Sequence, residues 1–237
     1  MAEKFYDLFR VKKPIIGMIH LAGDDSYCKI TRALQDASVF NGEGVDGAIV
    51  EDFHPGSFQD VLGTLDKLSK TENKIVLGVN FLQNPYSGFE LANLFDLKFV
   101  QFDNVQTPGI DLRFYREMRS QYPGISVLGG VRFKYARPSG NSLETDLREG
   151  MKRCEAIVTT GAGTGMETPI EKLREFKEVM GNYPLIVGAG VTAENVCEQL
   201  SVADGAIVGS YFKNGNAKNP VDARRVKNLM SKVLKLR

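Results

Sequence analysis

The sequence has no tryptophan, and its 237 residues include only two histidines and three cysteines. The cysteines (Cys28, Cys154 and Cys197) are odd in number, widely spaced and without a CxxC pair. That pattern argues against a disulfide framework or a thiolate zinc site and points to reduced thiols. No apolar run approaches the roughly 20 residues needed to cross a bilayer. The opening MAEKFYDLFRVKK mixes acids with bases and lacks an apolar core, so no signal peptide is expected and the expected location is the cytoplasm. Lys and Arg number 30 against 29 Asp and Glu, a formal net charge of +1. With the basic residues spread along the chain, nothing favours nucleic acid or an anionic membrane as a partner. No linker, low-complexity tract or charge run marks a second domain.

What the sequence does have is a series of short aliphatic and β-branched runs. They read as buried parallel strands, which are covered on both faces and so lose their polar alternation. The predicted strands are Ile15–Ile19, Ala48–Glu51, Ile75–Val79, Phe99–Phe102, Ser126–Gly129, Ala156–Thr159, Leu185–Val187 and Ala206–Val208. Amphipathic segments separate them, several with start signals. Ser57-x-x-Asp60 and Ser87-x-x-Glu90 resemble capping boxes. Thr168-Pro169-x-Glu171 puts proline in a first helical turn, and Gly181 is the expected stop of that helix. Asn219-Pro220-x-Asp222 opens a last helix with Val226, Leu229, Met230 and Val233 on one face. Phe5, Leu8 and Phe9 predict a short helix within residues 1–13, packed against the rest.

Eight alternating βα units predict a single-domain α/β fold, a closed (β/α)8 TIM barrel with outer helices. The rival is an open dinucleotide-binding sheet, suggested by Gly188-x-Gly190-x-x-Ala193. That fingerprint belongs in a first βα unit and here falls in the seventh. The acid it needs after the next strand is missing, because Asp204 precedes that strand.

In a closed barrel, the loops after strands 7 and 8 commonly bind phosphate. Here they are Gly188-Ala189-Gly190-Val191-Thr192 and Gly209-Ser210. Glycines let backbone amides approach an anion closely. Thr192 could cap the next helix, Ser210 could donate its hydroxyl, and Lys213 could add charge from slightly further away. The sixth loop, Thr160-Gly161-Ala162-Gly163-Thr164-Gly165, is a third glycine-rich turn that could touch the same phosphate or close as a lid. The plain alternative is that these glycines only make tight turns.

Polar residues at the other strand ends would meet at the barrel mouth: His20, Glu51, Asp52, Asn80, Asp103, Asn104, Arg132 and Lys134, with His54 beside them. Buried strands otherwise exclude such groups. Asp103 and Glu51 are the candidate base and acid and His20 a proton shuttle or hydrogen-bond donor. Asn80 is grouped with them. Arg132 and Lys134 are candidates to stabilise an enolate or a second anionic group. The competing reading is that these acids merely pair with basic neighbours or cap helices. No cofactor is required; a divalent metal on His20, Glu51, Asp52, His54 and Asp103 is a minor alternative without supporting spacing.

The motif Lys13-Pro14-Ile15-Ile16-Gly17-Met18-Ile19-His20-Leu21 resembles the start of the BtpA/SgcQ family. So do Gly44 through Phe53, Gly78-Val79-Asn80, Val187 through Val196, Ala203 through Lys213 and Asn219-Pro220-Val221-Asp222. The resemblance spans nearly the whole chain and implies a barrel of the ribulose-phosphate-binding type. One branch is associated with photosystem I biogenesis, and other members look like sugar-metabolism proteins. The chain departs from the pattern at Ala22-Gly23-Asp24-Asp25, in place of a proline-rich loop, and at Phe133-Lys134-Tyr135-Ala136, a variant of a Lys-His pair. The expected function is an isomerase, epimerase or lyase acting on a phosphorylated small molecule. A non-catalytic assembly factor and a phosphometabolite sensor are the alternatives, and self-association into a homo-oligomer is left open.

Overall fold

Each buried run becomes a strand, and the strands close on one another in chain order. A computed structural model describes residues 2–53 and 56–237, so His54 lies outside the described residues. The strands are β1 (Ile15–His20), β2 (Gly47–Glu51), β3 (Val76–Asn80), β4 (Phe99–Phe102), β5 (Ser126–Gly130), β6 (Ala156–Thr159), β7 (Leu185–Val187) and β8 (Gly205–Val208). All pair in parallel, β1 with β2 and onward until β8 returns to β1, forming a closed barrel. The helices are α1 (Ala2–Phe9), α2 (Ser26–Gly42), α3 (Phe58–Ser69), α4 (Ser87–Leu94), α5 (Leu112–Gln121), α6 (Leu143–Met151), α7 (Ile170–Met180), α8 (Val196–Val202) and α9 (Ala223–Val233).

Helices α2 to α9 surround the barrel, and α1 closes its N-terminal end. Phe5 and Phe9 are buried with the barrel-interior residues Ile16, Ile49, Phe99, Leu128 and Ile207. The Phe9 ring lies 5.8 Å from that of Phe99. A side chain at Gly47 would come within 2.8 Å of Phe9, so the start of β2 stays bare where the plug enters.

The start signals fare unevenly. Ser57 makes its capping box: its hydroxyl accepts from Asp60 N at 3.2 Å and its own N–H donates to the Asp60 carboxylate at 3.0 Å. The Ser87 box does not form. Ser87 is already the first helical residue, and its hydroxyl accepts from the Asn84 amide at 3.0 Å. Pro169 sits just ahead of α7, and Gly181 ends that helix at φ 58°. Asp222, the last residue of the Asn219-Pro220-x-Asp222 signal, caps α9 by accepting from Arg224 N at 2.9 Å. Thr192 accepts from Glu194 N and Asn195 N, so it braces the turn ahead of α8 and not the helix itself.

Candidate functional site

Along a strand every second side chain faces the barrel interior. Ile16 and Met18 face inward from β1, Ile49 from β2 and Phe99 from β4. Continuing that alternation to the C-terminal ends makes His20, Glu51 and Gln101 the last inward residues of their strands, with Asn80 at the end of β3. Register then sets them side by side: His20 pairs with Glu51, and Glu51 with Asn80. Asp103 follows Gln101 by two residues. On the far side the same count places Gly188 and Gly209 two residues beyond the inward-facing Ile186 and Ile207. The level that is polar on β1 to β4 is therefore open on β7 and β8.

That asymmetry leaves a cavity of about 290 Å³. His20, Glu51, Gln101, Asp103 and Lys134 line one side, Gly188, Gly190, Gly209 and Ser210 the other, with Phe53, Phe133 and Tyr135 as walls. Asn80 is buried beneath and bridges the two acids, its amide nitrogen donating to Glu51 Oε2 at 3.0 Å and Asp103 Oδ1 at 3.1 Å. Gln101 donates to the same Asp103 oxygen at 2.8 Å. Lys134 stands 4.9 Å over the Phe133 ring. Its backbone N–H donates at 2.6 Å to Thr160 Oγ1, which donates in turn to Gly161 O at 3.0 Å.

Burial, reinforced by the nearby Asp103 charge, pushes the Glu51 carboxyl up to about 8. Burial, reinforced by the charges of Lys213, Lys134 and Arg32, pulls the His20 imidazole well below its usual range. Although His20 Nε2 lies 3.7 Å from Glu51 Oε1, near neutral pH this is a contact between a protonated acid and an uncharged imidazole. His20 Nδ1 is buried with no hydrogen-bond partner among the described residues.

Between the unfolded value of 4.5 and the folded value of about 8, the native state holds a Glu51 proton that the unfolded chain has lost. Stability must therefore fall as pH rises through that window. His20 acts in the opposite sense, but only below its unfolded value of 6.5. From pH 6.5 to about 7.5 the Glu51 slope dominates, amounting to about 1 kcal/mol; nearer pH 8 the buried Lys213, whose folded value is about 8, begins to oppose it. Urea unfolding of the wild type should show that decline, and Glu51→Gln should flatten it. Parallel pH curves for the two proteins would contradict the assignment.

The β8 end prepares backbone donors. Ala206 N donates to Pro14 O at 3.0 Å, and two further steps of the two-residue repeat of a parallel ladder would bring Ser210 N–H toward Met18 O. Lys213 Nζ takes that oxygen instead. Its ammonium is fully buried behind β1 and pushed down to about 8 by burial; it does not line the cavity, and its charge reaches His20 from further back. Ser210 turns into a single 3-10 turn, Tyr211–Lys213. Gly209 brings this bend against His20, since a Cβ there would stand 3.0 Å from His20 Cε1. Gly190 has φ +71°, and a Cβ on it would lie 2.3 Å from Glu167 Cα.

Of the sequence candidates, His20, Glu51, Asn80, Asp103, Lys134, Gly188, Gly190, Gly209 and Ser210 thus come together. Four others sit elsewhere. Asp52 accepts from Leu82 N at 2.6 Å and Gln83 N at 3.3 Å, tying down the loop after β3. Arg132, at φ 47°, pairs with Asp146 at 3.1 Å and faces a separate surface depression. Thr160 braces Lys134, and a Cβ on Gly161 would meet Glu167 O at 2.3 Å, so both serve the sixth loop internally. That loop still reaches the cavity through Thr164 and Gly165, and Thr164 N donates to the Tyr135 hydroxyl at 3.1 Å. Gln101 was missed, though its place on the inward face of β4 was readable. Among the described residues no three His, Cys, Asp or Glu side chains gather as metal ligands, and no helix is long and apolar enough to cross a membrane.

Comparison with known proteins adds an independent line. The model of the BtpA family matches residues 11–235. A Synechocystis protein named photosystem I biogenesis protein BtpA is 28% identical, over 93% of this chain and 88% of its own. A Pyrococcus furiosus protein without assigned function is 30% identical, over 94% and 96%. The Escherichia coli protein named putative sgc region protein SgcQ is 25% identical, over 98% of both. Among solved structures, phosphoribosyl anthranilate isomerase from Thermus thermophilus matches with a TM-score of 0.68 at 15% identity, covering 94% of this chain and all of that one. At that identity the likeness speaks for the barrel fold alone.

Proposed function

The chain belongs to the BtpA family, and from that premise and its cavity we propose that it is an enzyme of isomerase, epimerase or lyase type acting on a phosphorylated small molecule such as a sugar phosphate. The observation that carries the reading is the divided ring at the barrel mouth. Ionisable and amide side chains from β1 to β4 face bare glycine turns after β7 and β8 across one cavity. A pure scaffold gains nothing from gathering buried His20 with half-buried Glu51 and Asp103, because each group loses solvation.

On this reading the phosphate sits on the amides of Gly190, Gly209 and Ser210, and the reacting carbons lie over the acids. Asp103, its Oδ1 held by Asn80 and Gln101, removes a proton from carbon next to a carbonyl. Glu51, which keeps its proton at neutral pH, supplies one to the oxygen. Lys134 steadies the enolate charge, and His20 accepts or donates a hydrogen bond beside Glu51. The chemistry needs no cofactor.

A second reading rests on the name of the Synechocystis relative: a factor in assembling photosystem I, without turnover. A phosphometabolite sensor would share the cavity but convert nothing. A thermal-shift screen with phosphorylated sugars and their unphosphorylated counterparts tests the proposal. A ligand at about 100 times its Kd adds about 2.7 kcal/mol, a rise of roughly 5–10 °C for a chain of this size. The expected result is stabilisation by phosphate esters only, followed by conversion of the best one. Stabilisation without conversion favours the sensor, and no stabilisation by any phosphate compound removes the proposal.

A further inference from the structure

A second cavity of about 290 Å³ adjoins the first. The two share Thr164, Gly165, Gly190, Ile207, Gly209 and Ser210, so the glycine turns after β6, β7 and β8 form the passage between an inner chamber at the acids and an outer one. Among the described residues, one charged side chain lines the outer chamber, Arg225 of α9. Its guanidinium stacks 4.2 Å from the centre of the Tyr211 ring, and its Nε donates to Tyr211 O at 2.5 Å. The Tyr211 hydroxyl is itself held by Asn228 at 3.3 Å. Half-buried and fixed in this way, Arg225 has no carboxylate within ion-pair distance among the described residues, and neither of its Nη groups makes a hydrogen bond there. A partly desolvated cation with two idle donors in a fixed fork suits one class of ligand, an oxyanion.

We infer that the ligand is a phosphate monoester lying across both chambers, its phosphate in the outer one against the Arg225 Nη groups and the amides of Gly190, Gly209 and Ser210, its hydroxyl- or carbonyl-bearing carbons reaching inward to Glu51 and Asp103. The inference rests on the proposed function and names the side chain that neutralises the anion. It also divides the lysine and arginine roles: Lys134 stands across the inner chamber with the acids and serves the carbon end. The preorganised stack lowers the entropy cost of binding, because the guanidinium is already held in place.

Calorimetric titration with inorganic phosphate and ribose 5-phosphate tests this, with ribose as the uncharged control. Arg225→Met should raise Kd for both phosphate compounds about 10- to 100-fold, the usual worth of charge-assisted hydrogen bonds. Arg225→Lys should recover part of the loss, since an ammonium brings charge without the fork. Lys134→Met should leave inorganic phosphate binding nearly unchanged. In the wild-type protein, phosphate should also shift the Arg225 guanidinium ¹⁵N resonances, a readout that needs no variant to fold. The inference is overturned if wild-type protein binds phosphate while Arg225→Met binds it equally well, if Lys134→Met carries the loss instead, or if the resonances stay still at saturation. Failure of the wild type to bind either phosphate compound removes the proposed function as well, so the two failures are distinguishable.

Discussion

Replacing Asp103 by asparagine should lower turnover of the stabilising phosphate ester by about 10²–10⁴-fold, the usual contribution of a general base. Its melting temperature should stay close to that of the wild type. The separation follows from the geometry. Asp103 Oδ1 accepts from Asn80 at 3.1 Å and from Gln101 at 2.8 Å, and an asparagine carbonyl can accept from the same two donors. What disappears is the proton acceptor, so chemistry suffers while the network under it persists. Steady-state kinetics together with a melting curve check both halves. A loss of less than tenfold would assign the base elsewhere, with Glu51 or His20 next in line. A collapse in stability would instead make Asp103 a structural carboxylate.

The second large effect belongs to the turn after β7. Gly190→Ala forces a side chain onto a residue at φ +71° and drives its Cβ to 2.3 Å from Glu167 Cα and from Met166 O. Left-handed backbone alone costs a residue with a Cβ about 1–2 kcal/mol. Contact with rigid backbone raises the total to about 3 kcal/mol or more, a fall of roughly 6–12 °C in melting temperature. Gly44→Ala is the matched comparison: φ is +74°, but nothing lies within 4 Å of the added carbon. It should show the backbone cost by itself, about 1–2 kcal/mol. If the two variants melt together, the sixth loop yields freely to the seventh and the turn is not the rigid cradle described above. Any Gly190→Ala protein that remains folded should also bind phosphate more weakly, because the displaced Glu167 segment shares its loop with Gly165 at the passage between the chambers.

The strands were readable because parallel barrel strands are buried on both faces and appear as uninterrupted aliphatic runs; β1 to β8 begin and end within one residue of their predicted bounds. The polar half of the site was readable for the same reason: His20, Glu51, Asn80 and Asp103 break those runs at their C-terminal ends. Strand alternation would also have reached Gln101, which shares the inward face of β4 with Phe99. Alternation fails where the backbone leaves strand geometry. Arg132 follows β5 at φ 47°, which turns it outward to Asp146, and the chain comes back to the cavity only at Lys134. Ser57 and Ser87 carry the same motif with different outcomes, since Asn84 engages the Ser87 hydroxyl while Ser57 is left to cap its own helix. Arg225 could not have been found by any local pattern. It sits in the first turn of α9, at the C-terminal end of β8, and only folding stacks its guanidinium on Tyr211 beside the glycine turns. Lys213 was legible as charge set further back: its side chain passes behind β1 to Met18 O, and its charge acts on His20.

The most direct test of the account is a crystal structure of the wild-type protein with ribose 5-phosphate. Phosphorus should lie between the turns after β7 and β8, with its oxygens about 3 Å from the amide nitrogens of Gly190, Gly209 and Ser210. Phosphate bound over the acids of β2 to β4, or turns that stay empty at saturating ligand, would contradict it.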